Sequence, residues 1–414
     1  MKVGIIGGGI IGLCSAYYLK KAGHEVTIFD ESNLTDGCSF GNAGMIVPSH
    51  IIPLAAPGMI AKGVRWMFDS KSPFYVKPRA SFDLLRWGWH FYRHANEAHV
   101  SKSIPALKEL SLFSKGQFQQ MARELPFDFG YHERGLLMLY RTATAEHEER
   151  ETAALANRHG VAAQVLSAAE VQAMEPHVQV NVRGGVFYLG DAHLTPQLLV
   201  HGLINHLNAQ GVVFKLSTSV TGFQLRGNNV SIVRTTQGQE SVDELVVAAG
   251  SWSGEVARQL QLTLPMQAGK GYSFTMPEVK NNIRIPSILL EARVAVTPMG
   301  NTLRLGGTME ITGIDHTINL NRVRGIAEAV PRYYDMNVEM PESGKIWHGL
   351  RPCSPDGLPY IGRLKNLPNV ILATGHAMMG LSLGPGTGKL VAELVENEKP
   401  TVDLSVFAAG RFTK

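Results

Sequence analysis

Lys2-Val3-Gly4-Ile5-Ile6-Gly7-Gly8-Gly9-Ile10-Ile11-Gly12 opens the chain with a short apolar run, three consecutive glycines and a fourth glycine three positions on. Lys2 to Ile6 reads as a fully buried strand. Ile10 to Ala22 carries apolar residues at helical spacing until Gly23 ends the pattern, and His24 to Asp30 reads as a second strand. Gly7, Gly9 and Gly12 fit the spacing G-x-G-x-x-G, and each has a physical reason to be glycine. Gly7 makes a tight turn, Gly9 lets a pyrophosphate approach the backbone, and Gly12 lets helix and strand pack closely. The helix N-terminus at Ile10 and Ile11 offers free N–H groups and a positive dipole end to that diphosphate. Asp30, with Glu31 beside it, stands where a carboxylate can accept from ribose hydroxyls. Glycine turns of this spacing also arise by chance. Here the strand, helix and second strand around it make a bound dinucleotide the reading, against a ligand-free βαβ unit. NAD and FAD remain open at this point.

Working outward, Ser39-Phe40-Gly41-Asn42-Ala43-Gly44-Met45 is a small, glycine-rich loop just after the second strand. It either lies against a flavin ring or pyrophosphate or is an ordinary connection. Segments 211–214, 219–223 and 229–235 read as strands. Glu244-Leu245-Val246-Val247-Ala248-Ala249-Gly250 is a buried strand ending where a ligand can approach. From about 257 to 344 apolar and polar positions alternate, as in Thr302-Leu303-Arg304-Leu305-Gly306, which predicts antiparallel sheet. Val370-Ile371-Leu372-Ala373-Thr374-Gly375 is a further buried strand, followed by a glycine-rich turn and a helix over 388–398.

The chain has 414 residues, 44% of them hydrophobic and 18% charged, so it can bury a large core and carries no sign of disorder. That length exceeds what one core usually organises and predicts two domains, interleaved. Its 43 glycines are about a tenth of the chain against a usual ~7%, which fits a fold with many close backbone approaches. Three cysteines, Cys14, Cys38 and Cys353, share no metal-type spacing, which argues against a disulfide framework and a zinc site and for a reducing compartment. A net charge of +4 is too small to imply a nucleic-acid partner. The glycines and the missing cleavage site argue against a secretory leader, and no apolar run reaches about 18 residues, so no membrane span is expected. Residues 58–94 mix seven Lys and Arg with nine aromatics. That composition is first that of helices with aromatics inward and a solvated basic face, as globular helices commonly have; a surface lying on an anionic membrane is the alternative hypothesis.

Taken together, the fingerprint, Asn42-Ala43-Gly44, Ala55-Ala56-Pro57-Gly58, Arg65-Trp66-Met67-Phe68, Lys270-Gly271-Tyr272-Ser273, Gly349-Leu350-Arg351-Pro352 with Pro355-Asp356-Gly357, and Thr374-Gly375-His376 resemble the flavin-dependent D-amino-acid oxidase superfamily. The bacterial D-amino-acid dehydrogenases within it are the most similar. The matching blocks run in family order over nearly the whole chain. The resemblance implies an α/β fold: a Rossmann-type, glutathione-reductase-like FAD-binding domain (1–57, 180–256 and 345–414) interleaved with an α+β substrate domain on an antiparallel sheet (58–179 and 257–344). It implies that Gly7, Gly9, Ile10, Ile11, Gly12, Asp30 and Glu31 hold the ADP half, and that Ser39, Asn42, Ala43 and Gly44 line the pyrophosphate and flavin. Val220 would meet the adenine, Ala249 and Gly250 would lie near the dinucleotide, and Gly375, Gly380 and Leu381 would approach the pyrimidine end of the flavin.

By the same resemblance Arg351 grips the substrate carboxylate, a role suited to a guanidinium fork. Tyr272 would either bring a hydroxyl into the pocket or pack as a sheet tyrosine, and His50 and His376 are further candidates. Glycine oxidase has a tyrosine at the position of Val294 and a second arginine at that of Met378, so glycine is not the expected substrate. Sarcosine oxidase attaches its flavin through a cysteine where this chain has Gly349, so FAD is expected to be non-covalent. The implied activity is oxidative deamination of a D-amino acid, with electrons passed to a quinone, another respiratory acceptor or an artificial one. The implied location is the cytoplasm, free or peripheral on the inner face of the membrane. The rival readings are a dehydrogenase of D-hydroxyproline, D-proline or another secondary amine, a non-catalytic flavin-binding subunit, and an NAD(P)-dependent enzyme.

Overall fold

A six-stranded sheet grows around the first strand. In the computed structural model, which describes residues 1–34, 37–66 and 74–412 and leaves out the side chains of residues 62 and 64–66, Lys2–Ile6 pairs in parallel with Glu25–Phe29 on one side and Glu244–Val247 on the other. Val213–Lys215 and Val370–Thr374 extend the sheet in parallel, and Tyr360–Arg363 closes one edge antiparallel. The central strands are apolar on both faces because both are covered. One face carries the helices Ile10–Lys21, Pro196–Ala209 and Gly380–Val395; the other carries the small antiparallel sheet of Val220–Arg226, Asn229–Thr235 and Gly238–Ser241 and the helix Ser253–Gln259.

A second, nine-stranded sheet is mainly antiparallel. Its order runs Trp347–Cys353, Gln267–Met276, Thr302–Ile311, Val294–Met299, Ser287–Leu289, Leu136–Tyr140, Gly184–Tyr188 and Ala163–Ser167, with Phe74–Val76 paired to Thr302–Ile311. The amphipathic helix Leu320–Tyr333 covers a core of Tyr272, Val294, Leu303 and Leu305 on one face. Two of these strands come from segments that the sequence division assigns to the dinucleotide unit. Gly184–Tyr188 pairs with Leu136–Tyr140, and Trp347–Cys353 pairs with Gln267–Met276 over seven positions. Neither sequence names its partner, so only their distant pairing partners decide which sheet they join. The long helix Glu97–Glu124 packs against Gly380–Val395 and ties the two units together. Of the 58–94 segment, residues 67–73 lie outside the described residues, Lys71 and part of the Arg65-Trp66-Met67-Phe68 block among them.

Candidate active site

Both sheets contribute to one cavity of about 860 Å³, near the top of the range of roughly 300–1,000 Å³ for cofactor and small-molecule sites. Gly7, Gly9, Ile10 and Ile11 form one end of it. Gly7 has φ +103°, and a Cβ there would stand 2.5 Å from the Ala248 carbonyl oxygen. A Cβ on Gly9 would meet nothing nearer than Ser39 Oγ at 3.7 Å, so its backbone faces open space. The helix that starts at Ile10 has no side-chain cap and no acidic residue in its first turn. A second helix, Gly380–Val395, also begins at the cavity, with Gly380 and Leu381 in the wall, and it too lacks an acidic first turn. The chain thus aims two unneutralised positive helix ends into one cavity, a cradle suited to a diphosphate and to a ring that takes up negative charge.

Asp30 and Glu31 line the same end, with Val220, Ala249 and Gly250. Asp30 is already engaged: Gly8 N–H donates to Oδ2 at 2.7 Å, and Ser32 N–H and Oγ donate to Oδ1 at 2.8 and 2.6 Å. A carboxylate has about four acceptor positions, so it retains capacity while also fixing the glycine turn. Burial, then the Asp30 and Glu255 charges, raise the Glu31 pKa. Ser39, Asn42 and Ala43 form the adjoining wall, and Ser39 Oγ accepts from Ile10 N–H at 3.0 Å. Gly12, Gly44 and Gly375 stand behind the wall. A Cβ on Gly12 would lie 1.9 Å from the Gly7 oxygen, one on Gly44 2.3 Å from the Leu194 oxygen, and one on Gly375 2.7 Å from the Tyr360 ring. Their part is to permit close packing and turns.

At the other end stands Arg351, on the strand Trp347–Cys353. Its guanidinium lies flat over Gly271 of the neighbouring strand, where a Cβ would come within 2.2 Å of Nη2. Nη1 donates to the Thr308 carbonyl. Thr308 has φ +69°, rare for a β-branched residue, and sits where the pairing of Gln267–Met276 with Thr302–Ile311 slips between Lys270 and Tyr272. Among the described residues no carboxylate pairs with Arg351. Burial pulls its pKa below the usual arginine value, which expresses the cost of holding a cation out of water without a counter-charge. The surrounding wall is apolar, with Leu54, Phe74, Met138, Ile288 and Met309. Arg293, exposed and at φ +53°, adds a second cation. Burial and then Arg293 push His50 down to about 4, and burial pushes His376 down to about 3, so both are neutral at pH 7.

Tyr272 requires a correction. It contributes to the wall, but its hydroxyl donates to Glu310 Oε2 at 2.5 Å and accepts from Asn319 N–H at 3.2 Å. Glu310 in turn meets Arg322 at 2.6 Å and Lys270 at 3.9 Å. The ring packs under the helix Leu320–Tyr333, as alternation along Gln267–Met276 requires once Gly271 and Ser273 face the other way. Val294 packs in that same core, and its neighbour Ala295 reaches the cavity, so the position compared with the glycine oxidase tyrosine does not face it. Met378 does line the cavity and is half exposed.

Three contacts escape a reading of the sequence. Buried Arg304 donates to Asn42 O at 3.1 Å and Thr275 Oγ1 at 2.6 Å, Ser273 Oγ donates to Gly41 O at 2.7 Å, and Trp347 fills the space beside Gly41 and Gly349. These groups of the large sheet grip the Ser39–Ala43 loop from behind. The sequence carries no signal for them, because Arg304 reads there as one of the polar positions of an alternating strand.

A model of the family described as FAD dependent oxidoreductase matches residues 2–394. The D-amino acid dehydrogenase of Granulibacter bethesdensis is 31% identical over 421 residues, and that of Agrobacterium fabrum 30% over 418, each match covering 100% of both chains. Among solved structures, glycine oxidase from Geobacillus kaustophilus superposes with a TM-score of 0.79 at 22% identity, covering 100% of this chain and 99% of that one. L-proline dehydrogenase from P. horikoshii gives 0.75 at 18%, covering 99% and 97%. These two show the shared fold. The helix-terminal cradle fits the cofactor that the family uses, and the match spans both sheets: the chain belongs to the D-amino-acid oxidase family of FAD-dependent oxidoreductases.

Proposed function

We propose that this protein is a D-amino acid dehydrogenase that oxidises a D-amino acid to the imine, which water converts to the 2-oxo acid and ammonia, the two electrons going to a quinone or another respiratory acceptor. The observation that carries the reading is Arg351, a partly buried guanidinium with no carboxylate partner among the described residues, in the cavity that begins at the glycine turn. The relatives that match over full length are named for this activity.

FAD, when bound, supplies the hydride acceptor for the α-hydrogen. Gly7, Gly9, Ile10, Ile11, Asp30, Glu31 and Val220 hold its ADP half in this reading, and Gly12 supports the turn from behind. Ser39, Asn42, Ala43, Gly44, Ala249, Gly250, Gly375, Gly380 and Leu381 shape the rest of its site. Binding is non-covalent: Gly349 offers no thiol, and burial pushes the Cys353 pKa up to about 12. The parallel-sheet unit (1–57, 180–256, 345–414) serves the cofactor and the remainder serves the substrate, apart from the two strands that join the large sheet. Arg351 takes both carboxylate oxygens and so fixes the α-carbon; orientation of this kind can remove about 7–11 kcal/mol of barrier. His50 and His376, kept neutral by burial, leave Arg351 and Arg293 as the positive charge at that end. The methionine and aliphatic wall excludes water and strengthens the clamp. The same reading places the protein in the cytoplasm, at the inner face of the membrane where a quinone is at hand.

The test is anaerobic titration of the yellow, FAD-loaded protein with a panel of D-amino acids. Bleaching of the flavin is expected for the wild type. Arg351→Ala should weaken substrate binding by roughly 2–5 kcal/mol, the cost of truncating one member of a buried charge pair. No bleaching by any D-amino acid, or saturation unchanged in the variant, would overturn the proposal.

A further inference from the structure

The helix Phe82–His94 is well founded. Ser81 caps it by accepting from Leu84 N–H at 3.3 Å, Asp83 lies in its first turn, and Arg93 and His94 lie in its last. Its inner face is fixed: Trp87 Nε1 donates to the Cys353 carbonyl at 2.9 Å, and Trp87 packs with Leu84, Phe91, Met309 and Ile311. Its outer face is the unusual one. Phe82 is 78%, Leu85 72%, Trp89 59% and Tyr92 65% exposed. Their spacing of three, four and three residues puts all four on one stripe, about 15 Å long at the helical rise. A contiguous stripe of four large apolar side chains marks an interaction surface.

We infer that this outer face docks the protein on the surface of an anionic lipid bilayer. The inference rests on the reading that the electron acceptor is a membrane quinone, and it names the surface that would serve it. Three observations select a bilayer over other occupants. Phe, Trp and Tyr together are the side chains that settle at a lipid–water boundary, with their apolar bodies inward and polar tips at the headgroups. Arg86 and Arg93 flank the stripe without an ion-pair partner among the described residues, while the one acid of the helix, Asp83, faces Arg258 at 3.4 Å. The stripe therefore presents unbalanced positive charge, which complements anionic headgroups. A second copy of the chain packed on the same stripe by a two-fold axis would set Arg86 and Arg93 against their own images, a like-charge contact. No helix among the described residues is long and apolar enough to cross a membrane, so contact is by burial of this face alone.

The geometry also gives the contact a purpose. Leu54, Phe74 and Ala377 pack in the same cluster as Trp87, and all three line the cavity together with Met309. The inner face of the helix thus packs on residues that line the apolar part of the cavity, and its exposed stripe points away from them. Docking there would set a bilayer-dissolved acceptor on the side of the protein where that part of the cavity lies.

The test uses FAD-loaded protein and vesicles of phosphatidylcholine with about 30% phosphatidylglycerol, compared with phosphatidylcholine alone. Wild type should co-sediment with the anionic vesicles at low salt, and less so at about 0.5 M NaCl. The double variant Leu85→Glu/Trp89→Glu, whose positions are solvent-exposed, should lose at least tenfold in partition coefficient. It should keep the wild-type melting temperature and its turnover with a soluble dye acceptor. Arg86→Gln/Arg93→Gln should abolish the preference for anionic vesicles. Equal sedimentation of wild type and the double variant, or a wild-type dimer that the double variant converts to monomer, would overturn the inference. Turnover with the dye is read separately. If it is absent while vesicle binding persists, the catalytic reading fails and the docking surface stands; if it is present without vesicle binding, the reverse holds.

Discussion

The group that orients Arg351 is neutral, and that choice leaves its charge for a ligand. A carboxylate neighbour would lower the cost of burial but would compete for the same fork; a carbonyl aims one N–H and neutralises nothing. The Thr308 carbonyl reaches Nη1 from the slipped pairing between Thr302–Ile311 and Gln267–Met276, at a residue that itself has positive φ. Gly271 completes the arrangement by leaving the guanidinium room. Gly271→Ala should therefore displace Arg351 while leaving the strand intact. A misplacement near 1 Å can cost about 100-fold, and we expect a loss of that order in kcat/KM for D-amino acids, carried mainly by KM. Tyr272→Phe is the contrasting case from the next position. It removes a donor from buried Glu310, so the expected result is a stability loss of about 1–3 kcal/mol in urea unfolding, with kcat/KM little changed. The reverse pattern, a stable Tyr272→Phe that has lost activity, would restore the hydroxyl to the site. Family blocks pointed to Arg351 and Tyr272 together; alternation along Gln267–Met276 separates them, because Gly271, beneath the Arg351 guanidinium, and Tyr272 lie on opposite faces of that strand.

Between the glycine turn and the large sheet, the loop Ser39–Ala43 transmits position from one unit to the other. The turn and first helix are legible in the sequence because every determinant lies within about thirty residues: a buried strand, glycines at fixed offsets, an amphipathic run and an acidic residue at the end of the next strand. The loop is not legible in that way. Its shape depends on Arg304, Ser273 and Trp347, distant in the chain, which hold the Phe40, Gly41 and Asn42 backbone from outside. The cost of that grip is visible in Arg304, whose pKa burial pulls down to about 10. Arg304→Met keeps most of the volume but leaves the Asn42 carbonyl without its donor. We expect FAD to bind at least tenfold more weakly, by flavin fluorescence, with a lower melting temperature for the loaded protein. Unchanged FAD affinity would show that the loop needs no support from the large sheet. The second helix terminus at Gly380 was likewise named only through family resemblance, since no local pattern shows that it opens on the same cavity as Ile10.

Across the whole molecule, the assignment of strands to sheets was the least legible feature, for Gly184–Tyr188 and Trp347–Cys353 carry no mark of which sheet they join. Burial of ionisable groups follows from that assembly and sets a dependence on pH. Burial raises Asp191, Glu149 and Glu175 to about 7. Unfolded, they would titrate near their ordinary values, so the native state holds more protons between about pH 4 and 7 and loses stability as pH rises through that window. His50, His193 and His376 behave oppositely. Burial lowers them to about 4, 3 and 3, so the unfolded state takes up protons first and stability falls as pH drops from about 6.5 toward 3. Three groups on each side make the opposing slopes cancel at about pH 5.5, where these six groups place the stability maximum. Asp191 makes the clearest probe, since it accepts from Ser49 N–H at 3.0 Å and Ser49 Oγ at 2.5 Å and lies outside the cavity wall. Asp191→Asn removes one proton from the alkaline arm and should move the maximum upward by about one pH unit. Thermal melting of the FAD-loaded protein from about pH 4 to 9 reads both curves. A wild-type maximum above about pH 8, or an optimum unmoved in the variant, would mean that these carboxyls are ionised in the folded protein at neutral pH.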